Sequence, residues 1–291
     1  MSRPSVLFLI SPHSSASALS DAGNDNAQTL PAAFKAQGWQ VSRGRHQSLH
    51  RRPEGLFVDS TALSHYDLIW PVGFGPRNGF LDWLQLLGEL PERAVINAPA
   101  SMVLRHGKSA WLTHGPESHI AAEPETLVTA MAEKPGDWVL KPLAGSFGQD
   151  VHRLHGDDTE TLLQTMRQRP GAYFVLQRFQ PNIVRGETRT LVVGGRVLGS
   201  YLRVPTNQLH ANLAKHSTAQ PTTLSEPQQK IVGKIAEDLL AEHIGFAAID
   251  LVDTTLMEVN VANPGGLGTL NQLYGKDFGP ALVRAAAHFI S

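Results

Sequence analysis

The stretch "LMEVNVANPGGLG", from Leu256 to Gly268, decides how this chain is interpreted. It places a carboxylate, Glu258, and a carboxamide, Asn260, two residues apart in an apolar strand that ends in a Pro-Gly-Gly turn. Residues two apart in a strand share a face, so both side chains point the same way. Because a carboxylate is rarely buried without a partner, the pattern indicates an ion or a charged ligand beside the strand.

The segment just before it offers a third side chain with oxygen ligands. "GFAAIDLVDTTLMEVNV" predicts a β-hairpin whose first strand carries Asp250. An odd-numbered loop, such as Asp253-Thr254-Thr255 with a bulge, would set Asp250 opposite Glu258, whereas a two-residue loop would send Asp250 to the other face. In the first case two carboxylates and an amide oxygen converge, which suits Mg²⁺. The alternative is that both acids form salt bridges with Arg or Lys.

Composition excludes several classes of function. The chain has 291 residues, 42% hydrophobic and 18% charged, which is typical of a globular protein of two or three domains. A net charge of −1 gives no global field toward nucleic acid or acidic membranes, so we expect neither as a partner. The absence of cysteine excludes disulfides, a thiol nucleophile and thiolate metal sites. No segment approaches the roughly 20 apolar residues of a membrane span, and we expect a cytoplasmic protein.

Alternating apolar runs and helical patterns divide the chain into three predicted domains. Residues 1–104 predict a parallel α/β sheet, residues 105–180 a compact α+β unit, and residues 181–291 an antiparallel unit with helices. In the last unit, Gly194-Gly195 predicts a two-residue hairpin turn. A helix is predicted from Ser225 to His243, with Ser225 as its N-cap.

Two common nucleotide-binding motifs are absent from the sequence. No GxGxxG follows the first predicted strand, which argues against a dinucleotide enzyme. "RHGKSAW" is similar to the end of a P-loop, but Met102 stands where the first glycine is required. A different phosphate site is indicated by "VLKPLAGSFGQDV", where Lys141 ends a strand and the following Gly-rich loop presents backbone N–H groups.

Taken in order, "HGKSAW", "VLKPLAGSFGQDV", "LQRFQPN", "GETRTLVVGGRVLGSYLRVP", "ANLAKH", "IDLV" and "MEVNVANPGGLG" resemble the ATP-grasp ligases. Within that superfamily the chain is most similar to prokaryotic glutathione synthetase, over roughly residues 95–268. The resemblance implies an ATP-grasp fold of α/β and α+β units, behind an amino-terminal parallel α/β domain. It implies ATP with Mg²⁺, or Mn²⁺ in its place, and a carboxylate–amine ligase that acts through an acyl-phosphate.

The resemblance also assigns roles to single residues, and we list them as what it implies. The residues expected to bind the nucleotide are Lys108, Lys141, Gly145, Ser146, Gly148, Gln177, Phe179 and, at the ribose, Glu187. Those expected near the transferred phosphoryl group are Arg189, Arg203 and Asn212. The expected metal ligands are Asp250, Glu258 and Asn260. The turn expected to hold a substrate carboxylate comprises Asn263, Pro264, Gly265 and Gly266.

Two segments depart from the family pattern. "WPVGFGPRNGF" stands where the family carries an Arg-Lys-Asp-Pro-Pro type stretch, and "LAKHSTAQ" follows Asn212 where a glycine-rich stretch is usual. Both concern the acceptor, although Arg77 offers one replacement cation. We therefore expect small-molecule or short-peptide substrates, with γ-glutamylcysteine plus glycine preferred, and leave a homo-oligomer open. The alternatives are a ligase of the ribosomal-protein glutamate-adding type and a non-catalytic nucleotide sensor.

Overall fold

A computed structural model of the chain describes residues 3–11, 25–144, 150–205 and 217–290. The predicted loop residues Gly145, Ser146 and Gly148, and the predicted Asn212, lie outside these ranges. The strands are β1 (Ser5–Ile10), β2 (Gln40–Arg45), β3 (Leu49–Arg52), β4 (Gly55–Val58), β5 (Thr61–Ala62), β6 (Leu68–Pro71), β7 (Ser118–Ala121), β8 (Trp138–Pro142), β9 (His152–Leu154), β10 (Phe174–Arg178), β11 (Glu187–Val193), β12 (Arg196–Pro205), β13 (Ser217–Pro221), β14 (Phe246–Val252) and β15 (Thr255–Asn260). The α-helices are α1 (Asn26–Ala36), α2 (Phe80–Leu87), α3 (Pro99–Arg105), α4 (Pro124–Glu133), α5 (Thr159–Arg167), α6 (Glu226–Ala241), α7 (Leu267–Tyr274) and α8 (Gly279–Ile290).

The amino-terminal sheet is parallel, as predicted, with the strand order β2-β1-β6. Its apolar face packs Phe8, Phe34 and Trp70 together, with ring centroids 5.5 to 5.8 Å apart. The run "RAVINAP" adds only a single bridge, from Val95 to Ile69, before Pro99 starts α3. A small antiparallel sheet, β3-β4-β5, follows β2 and was not predicted.

The central sheet has the order β7-β10-β8-β9 and is antiparallel throughout. Helices α4 and α5 complete a separate hydrophobic core that runs from Ala121 to Leu176 and is centred on Trp138 and Phe174. This core lies wholly inside the unit predicted over residues 105–180. The two boundaries of that unit remain predictions.

The carboxy-terminal sheet has the order β13-β12-β11-β14-β15 and is antiparallel. Gly194 and Gly195 form the predicted two-residue turn, with φ values of 53° and 72° that favour glycine. Ser225 caps α6 through a capping box with Gln228, which confirms the predicted N-cap.

The largest hydrophobic core among the described residues joins the amino-terminal sheet to the carboxy-terminal sheet. Leu7 and Ile69 of the amino-terminal sheet pack in the same cluster as Ile249 and Val259 of the carboxy-terminal sheet. The loop after β6 is thereby brought to the end of β15, where the Gly73 N–H donates to the Ala262 carbonyl at 3.2 Å. Among the described residues, no helix combines the length and apolarity that a membrane crossing requires.

Candidate active site

The register of the β14–β15 hairpin sets the geometry of the site. Val252 pairs with Thr255 across a two-residue turn, and Asp250 nevertheless lies opposite Glu258. A register shift between Asp250 and Leu251 accounts for this, because it leaves Met257 as an extra residue on β15. The expectation that a two-residue turn would send Asp250 to the other face was therefore wrong. A bulge inside the ladder supplies the odd residue that we had placed in the loop.

Asp250 is completely buried and is held by two arginines. Arg189 donates from Nε to Oδ1 at 2.8 Å and from Nη2 to Oδ2 at 2.7 Å, which is a bidentate pair. Arg203 Nη2 and Asn260 Nδ2 also donate to Oδ2, at 3.1 and 3.0 Å. Burial raises the pKa of Asp250, but the two guanidinium groups outweigh burial and hold it below its usual range.

Glu187 adds a second buried acid beside this pair. It lies opposite Arg203 in the β11–β12 ladder and accepts a hydrogen bond from that guanidinium. Burial raises the pKa of Glu187 despite the attraction of Arg203. Two arginines and two carboxylates therefore form one charge-balanced group on the face of the sheet.

Glu258 extends the group toward the central sheet. Its Oε1 lies 3.6 Å from Lys108 Nζ, and its Oε2 lies 3.5 Å from Asn260 Nδ2. The Lys108 side chain is only 17% exposed, so it is not a solvated surface charge. The salt bridges that the sequence left as an alternative to a metal site are thus present at both acids.

A narrow cleft opens between the central and carboxy-terminal sheets, and Gly115, Leu256 and Met257 contribute to its walls. Lys141, Lys108, Gln177 and Glu258 are its polar lining. Desolvation lowers the pKa of the Lys141 amine, and the nearby Glu258 carboxylate opposes that shift.

Phe179 follows β10 immediately, at the edge of the central sheet. Its backbone N–H donates to the Asp137 carbonyl at 3.0 Å, which ties the segment to the turn before β8. Its half-buried ring lies under the Arg153 guanidinium, 3.8 Å from the Arg153 Cζ. The ring is therefore at the surface of the unit and not inside the sheet core.

The predicted substrate turn is anchored by a residue that the sequence did not reveal. Asn26, at the start of α1, donates to Asn263 Oδ1 at 2.8 Å and to the Pro264 carbonyl at 3.0 Å. Gly266 has φ 140°, and a Cβ there would lie 2.9 Å from the Tyr201 hydroxyl, so only glycine fits. The glycine of this turn is required for packing, whatever the turn binds. Arg77, in contrast, is exposed.

The donor set suits a hard cation. Mg²⁺ commonly takes one or two protein carboxylates, and Asp250 and Glu258 supply two on one face of the hairpin. Asp250 Oδ1 accepts from Arg189 alone among the described residues, and a 180° rotation of the Asn260 amide would turn its oxygen toward the acids. In the described part of the chain, no group of three or more His, Cys, Asp or Glu residues is arranged so that it could hold a metal ion.

The site gathers most of the residues that the resemblance named, in two adjoining groups. Lys108, Lys141, Gln177 and Glu258 line the cleft, and Glu187, Arg189, Arg203, Asp250 and Asn260 lie on the carboxy-terminal sheet. Ser118 was not predicted, although it contacts Gln177. No sequence motif marks Ser118, because its role depends on the pairing of β7 with β10.

The chain is similar to known proteins in sequence and in fold. The family model of the prokaryotic glutathione synthetase ATP-grasp domain matches residues 109–275. The glutathione synthetase of Parasynechococcus marenigrum (strain WH8102) is 31% identical over 224 residues, covering 73% of this chain and 72% of the relative. That of Prochlorococcus marinus (strain MIT 9313) is 29% identical, covering 87% and 81%. The ATP-grasp ligase PsnB, solved with minimal precursor, Mg and ADP, has a similar fold, with a TM-score of 0.70 at 16% identity over 100% of this chain and 99% of that chain.

Proposed function

Because this chain belongs to the prokaryotic glutathione synthetase family of ATP-grasp enzymes, we propose that it joins γ-glutamylcysteine to glycine at the site around Asp250, Glu258 and Asn260. The chain is an ATP-dependent ligase that forms a peptide bond, uses Mg²⁺ and releases ADP and phosphate. Its substrates are small molecules or peptides. The assignment of single residues to these steps is our proposal.

One observation carries the proposal for the site. Asp250, Glu258 and Asn260 share a face that adjoins the cleft holding Lys108 and Lys141. Oxygen ligands and ammonium groups are thereby set side by side, as a metal-bound polyphosphate requires. Mg²⁺ held by this set would neutralise charge on the phosphate oxygens.

The proposed reaction has two steps. In the first, a substrate carboxylate oxygen attacks the γ-phosphorus, the bond to the bridging oxygen breaks, and ADP leaves. In the second, the amine nitrogen attacks the acyl carbon, phosphate leaves with the electron pair of the C–O bond, and the nitrogen loses a proton. Activation gives the carboxylate a good leaving group, and holding both substrates together supplies proximity.

We assign to Arg203 the stabilisation of the negative charge that develops during the reaction. Its guanidinium is always charged and planar, so it can donate to an acyl-phosphate and to the oxyanion of the tetrahedral adduct. Its Nε is buried and has no hydrogen-bond partner among the described residues. A donor in that state is available to a substrate that enters beside Asp250. Arg189, with Nε and Nη2 both directed at Asp250, is better placed to hold that carboxylate.

The acceptor site is proposed at the turn from Asn263 to Gly266. The turn contacts α1 and the loop after β6. A substrate carboxylate bound there would therefore lie between the amino-terminal and carboxy-terminal units. We further propose a cytoplasmic location, where ATP is abundant, and domain boundaries at residues 104/105 and 180/181. Both proposals are independent of the residue assignments.

The direct test is to incubate the protein with Mg-ATP, γ-glutamylcysteine and glycine, and to measure tripeptide by mass and ADP by a coupled assay. Tripeptide formation supports the proposal. Product only from another carboxylate and amine pair would move the protein to the ribosomal-protein glutamate-adding type of ligase. ATP binding without turnover on any pair would support the nucleotide sensor.

The metal assignment has its own test. Glu258→Gln should abolish ADP formation and leave the unfolding transition in place, because it removes one metal ligand and one partly exposed ion pair. Glu226→Gln is the matched control, since that glutamate pairs with Lys230 on the solvent face of α6. Unchanged turnover in Glu258→Gln would remove Glu258 from the metal site.

A further inference from the structure

A chain of three hydrogen bonds crosses the floor of the cleft and ends on Lys141. The Ser118 hydroxyl donates to the Pro116 carbonyl at 2.8 Å, and Gln177 Nε2 donates to Ser118 Oγ at 3.0 Å. The Lys141 ammonium then donates to Gln177 Oε1 at 2.9 Å. We call Ser118, Gln177 and Lys141 the relay.

The antiparallel sheet brings the three side chains to one face. Ser118 on β7 lies directly opposite Gln177 on β10, and Gln177 lies opposite Val139, two residues before Lys141 on β8. Residues two apart in a strand share a face, so Lys141 is the diagonal neighbour of Gln177. The contact between them is fixed by strand register.

The polarity of the relay is fixed at both ends. The Pro116 carbonyl can only accept, so the Ser118 hydroxyl proton points to it and leaves Oγ to accept from the Gln177 amide. The Lys141 ammonium can only donate, so it requires Oε1 of the same amide. A rotated Gln177 would set N–H groups against the ammonium. Gln177 is 2% exposed, and its amide therefore has one stable orientation.

A neutral acceptor has a consequence for the charge of Lys141. Among the described residues, Gln177 is the sole hydrogen-bond partner of the Lys141 ammonium. The amide holds the nitrogen in place without neutralising it, whereas a carboxylate at this position would compete with an anionic ligand. The ammonium has two further N–H groups that can donate to a ligand in the cleft.

We propose that Ser118 and Gln177 are positioning residues that hold the Lys141 ammonium toward the phosphate groups of the nucleotide. This inference rests on the proposed function, which places the nucleotide phosphates at Lys141. The relay acts through that one nitrogen, so its loss should weaken phosphate binding and leave recognition of the nucleoside unchanged.

The test is equilibrium titration of the whole chain with Mg-ADP and, separately, with adenosine. Lys141→Met should weaken Mg-ADP binding about 100-fold, because a charge-assisted contact is lost. Ser118→Ala should weaken it about fivefold, the effect of one misplaced hydrogen bond. Ser118→Ala should not change adenosine binding. In the Lys141→Met background, Ser118→Ala should have no further effect.

Control variants separate the loss of the Ser118 hydrogen bond from a general loss of structure in this unit. Ser118→Thr keeps the hydroxyl and should restore wild-type Mg-ADP affinity, and Thr129→Ala removes an exposed hydroxyl on α4 of the same unit and should change nothing. Where Ser118→Ala does not fold, Gln177→Met takes its place in the same double-mutant cycle.

The outcomes distinguish a failure of the relay from a failure of the proposed function. Unchanged Mg-ADP affinity in Lys141→Met would overturn the proposed role of Lys141 itself. A large effect of Lys141→Met with additive, or absent, effects of Ser118→Ala would overturn the relay alone. A loss of adenosine binding in Ser118→Ala would also overturn it, because that result reports a distorted cleft.

Discussion

The two polar groups of the site stabilise their charges in opposite ways. On the carboxy-terminal sheet, Asp250 and Glu187 are balanced by Arg189 and Arg203, and every charge has a partner of opposite sign. On the central sheet, the Lys141 ammonium is held by a neutral amide. Removing one member of a charge-balanced group lowers stability, and the group exerts little net attraction on other ions. A cation held by a neutral amide can still pair with an anion.

The difference indicates a division of labour. The balanced group is 0% to 17% exposed at its side chains and fixes the geometry of the proposed metal ligand Asp250. Lys141 and Lys108 line the cleft where we propose that the nucleotide binds. We therefore expect mutations in the first group to lower stability in addition to activity, and mutations in the second to act mainly on binding.

The largest effect is expected from Arg189→Met. It leaves Asp250 buried with only one of its two guanidinium partners, and breaking a buried pair costs about 3–5 kcal/mol. Urea unfolding followed by circular dichroism measures the loss. Arg185→Met is the control, because its pair with Asp253 is exposed and should contribute less than about 1 kcal/mol. Equal losses in the two variants would contradict the distinction between them.

A third buried group, His46, extends the comparison to a site with neutral surroundings. It is 2% exposed, packs on Trp83, and lies 3.4 Å from the Ser11 hydroxyl. Desolvation lowers the pKa of His46 to about 4. The unfolded chain binds the proton first, so this stability is complete above pH 6.5 and is lost as the pH falls toward about 4.

The loss at low pH should reach about 3 kcal/mol, since each pKa unit corresponds to about 1.4 kcal/mol. Unfolding free energies measured from about pH 7.5 to about pH 4.5 should fall in the wild type and fall less in His46→Phe. The exposed His65→Phe should keep the wild-type slope. Identical slopes in the wild type and His46→Phe would show that folding does not lower the pKa of His46.

The smallest effect on stability is expected from Lys141→Met. Removing the ammonium relieves its desolvation but leaves Gln177 Oε1 without its donor, and each effect is about 1–3 kcal/mol with opposite sign. The net change in unfolding free energy should be within about 1 kcal/mol. The same urea series measures it, and a loss as large as that of Arg189→Met would abolish the contrast between the two groups.

Local sequence patterns predicted the elements that depend on local interactions. The Gly194-Gly195 turn, the Ser225 cap and the parallel amino-terminal sheet all follow from turn chemistry, capping and hydrophobic periodicity. The sheet β3-β4-β5 was missed, and the segment "RAVINAP" contributes one bridge to the amino-terminal sheet. Short pairings of this kind depend on neighbours that a sequence pattern does not show.

The hairpin that carries Asp250 shows the same limit at the site. The sequence correctly placed a hairpin and set Glu258 and Asn260 on one face, because alternation in a strand is a local property. It placed the bulge at the loop, whereas the extra residue lies within the strand, at Met257. The right pairing of Asp250 with Glu258 therefore arises from a different cause than the one predicted.

The sequence by itself determined the family, the three-part organisation that we predict, and the residue types available for chemistry, because motif order and strand alternation are carried along the chain. Only the tertiary structure decided which of those residues touch. It set Arg189 on Asp250, Lys108 on Glu258, Ser118 on Gln177 and Asn26 on the Asn263 turn. Each contact joins residues at least 59 positions apart, and its partners are selected by strand register and by the burial of charge.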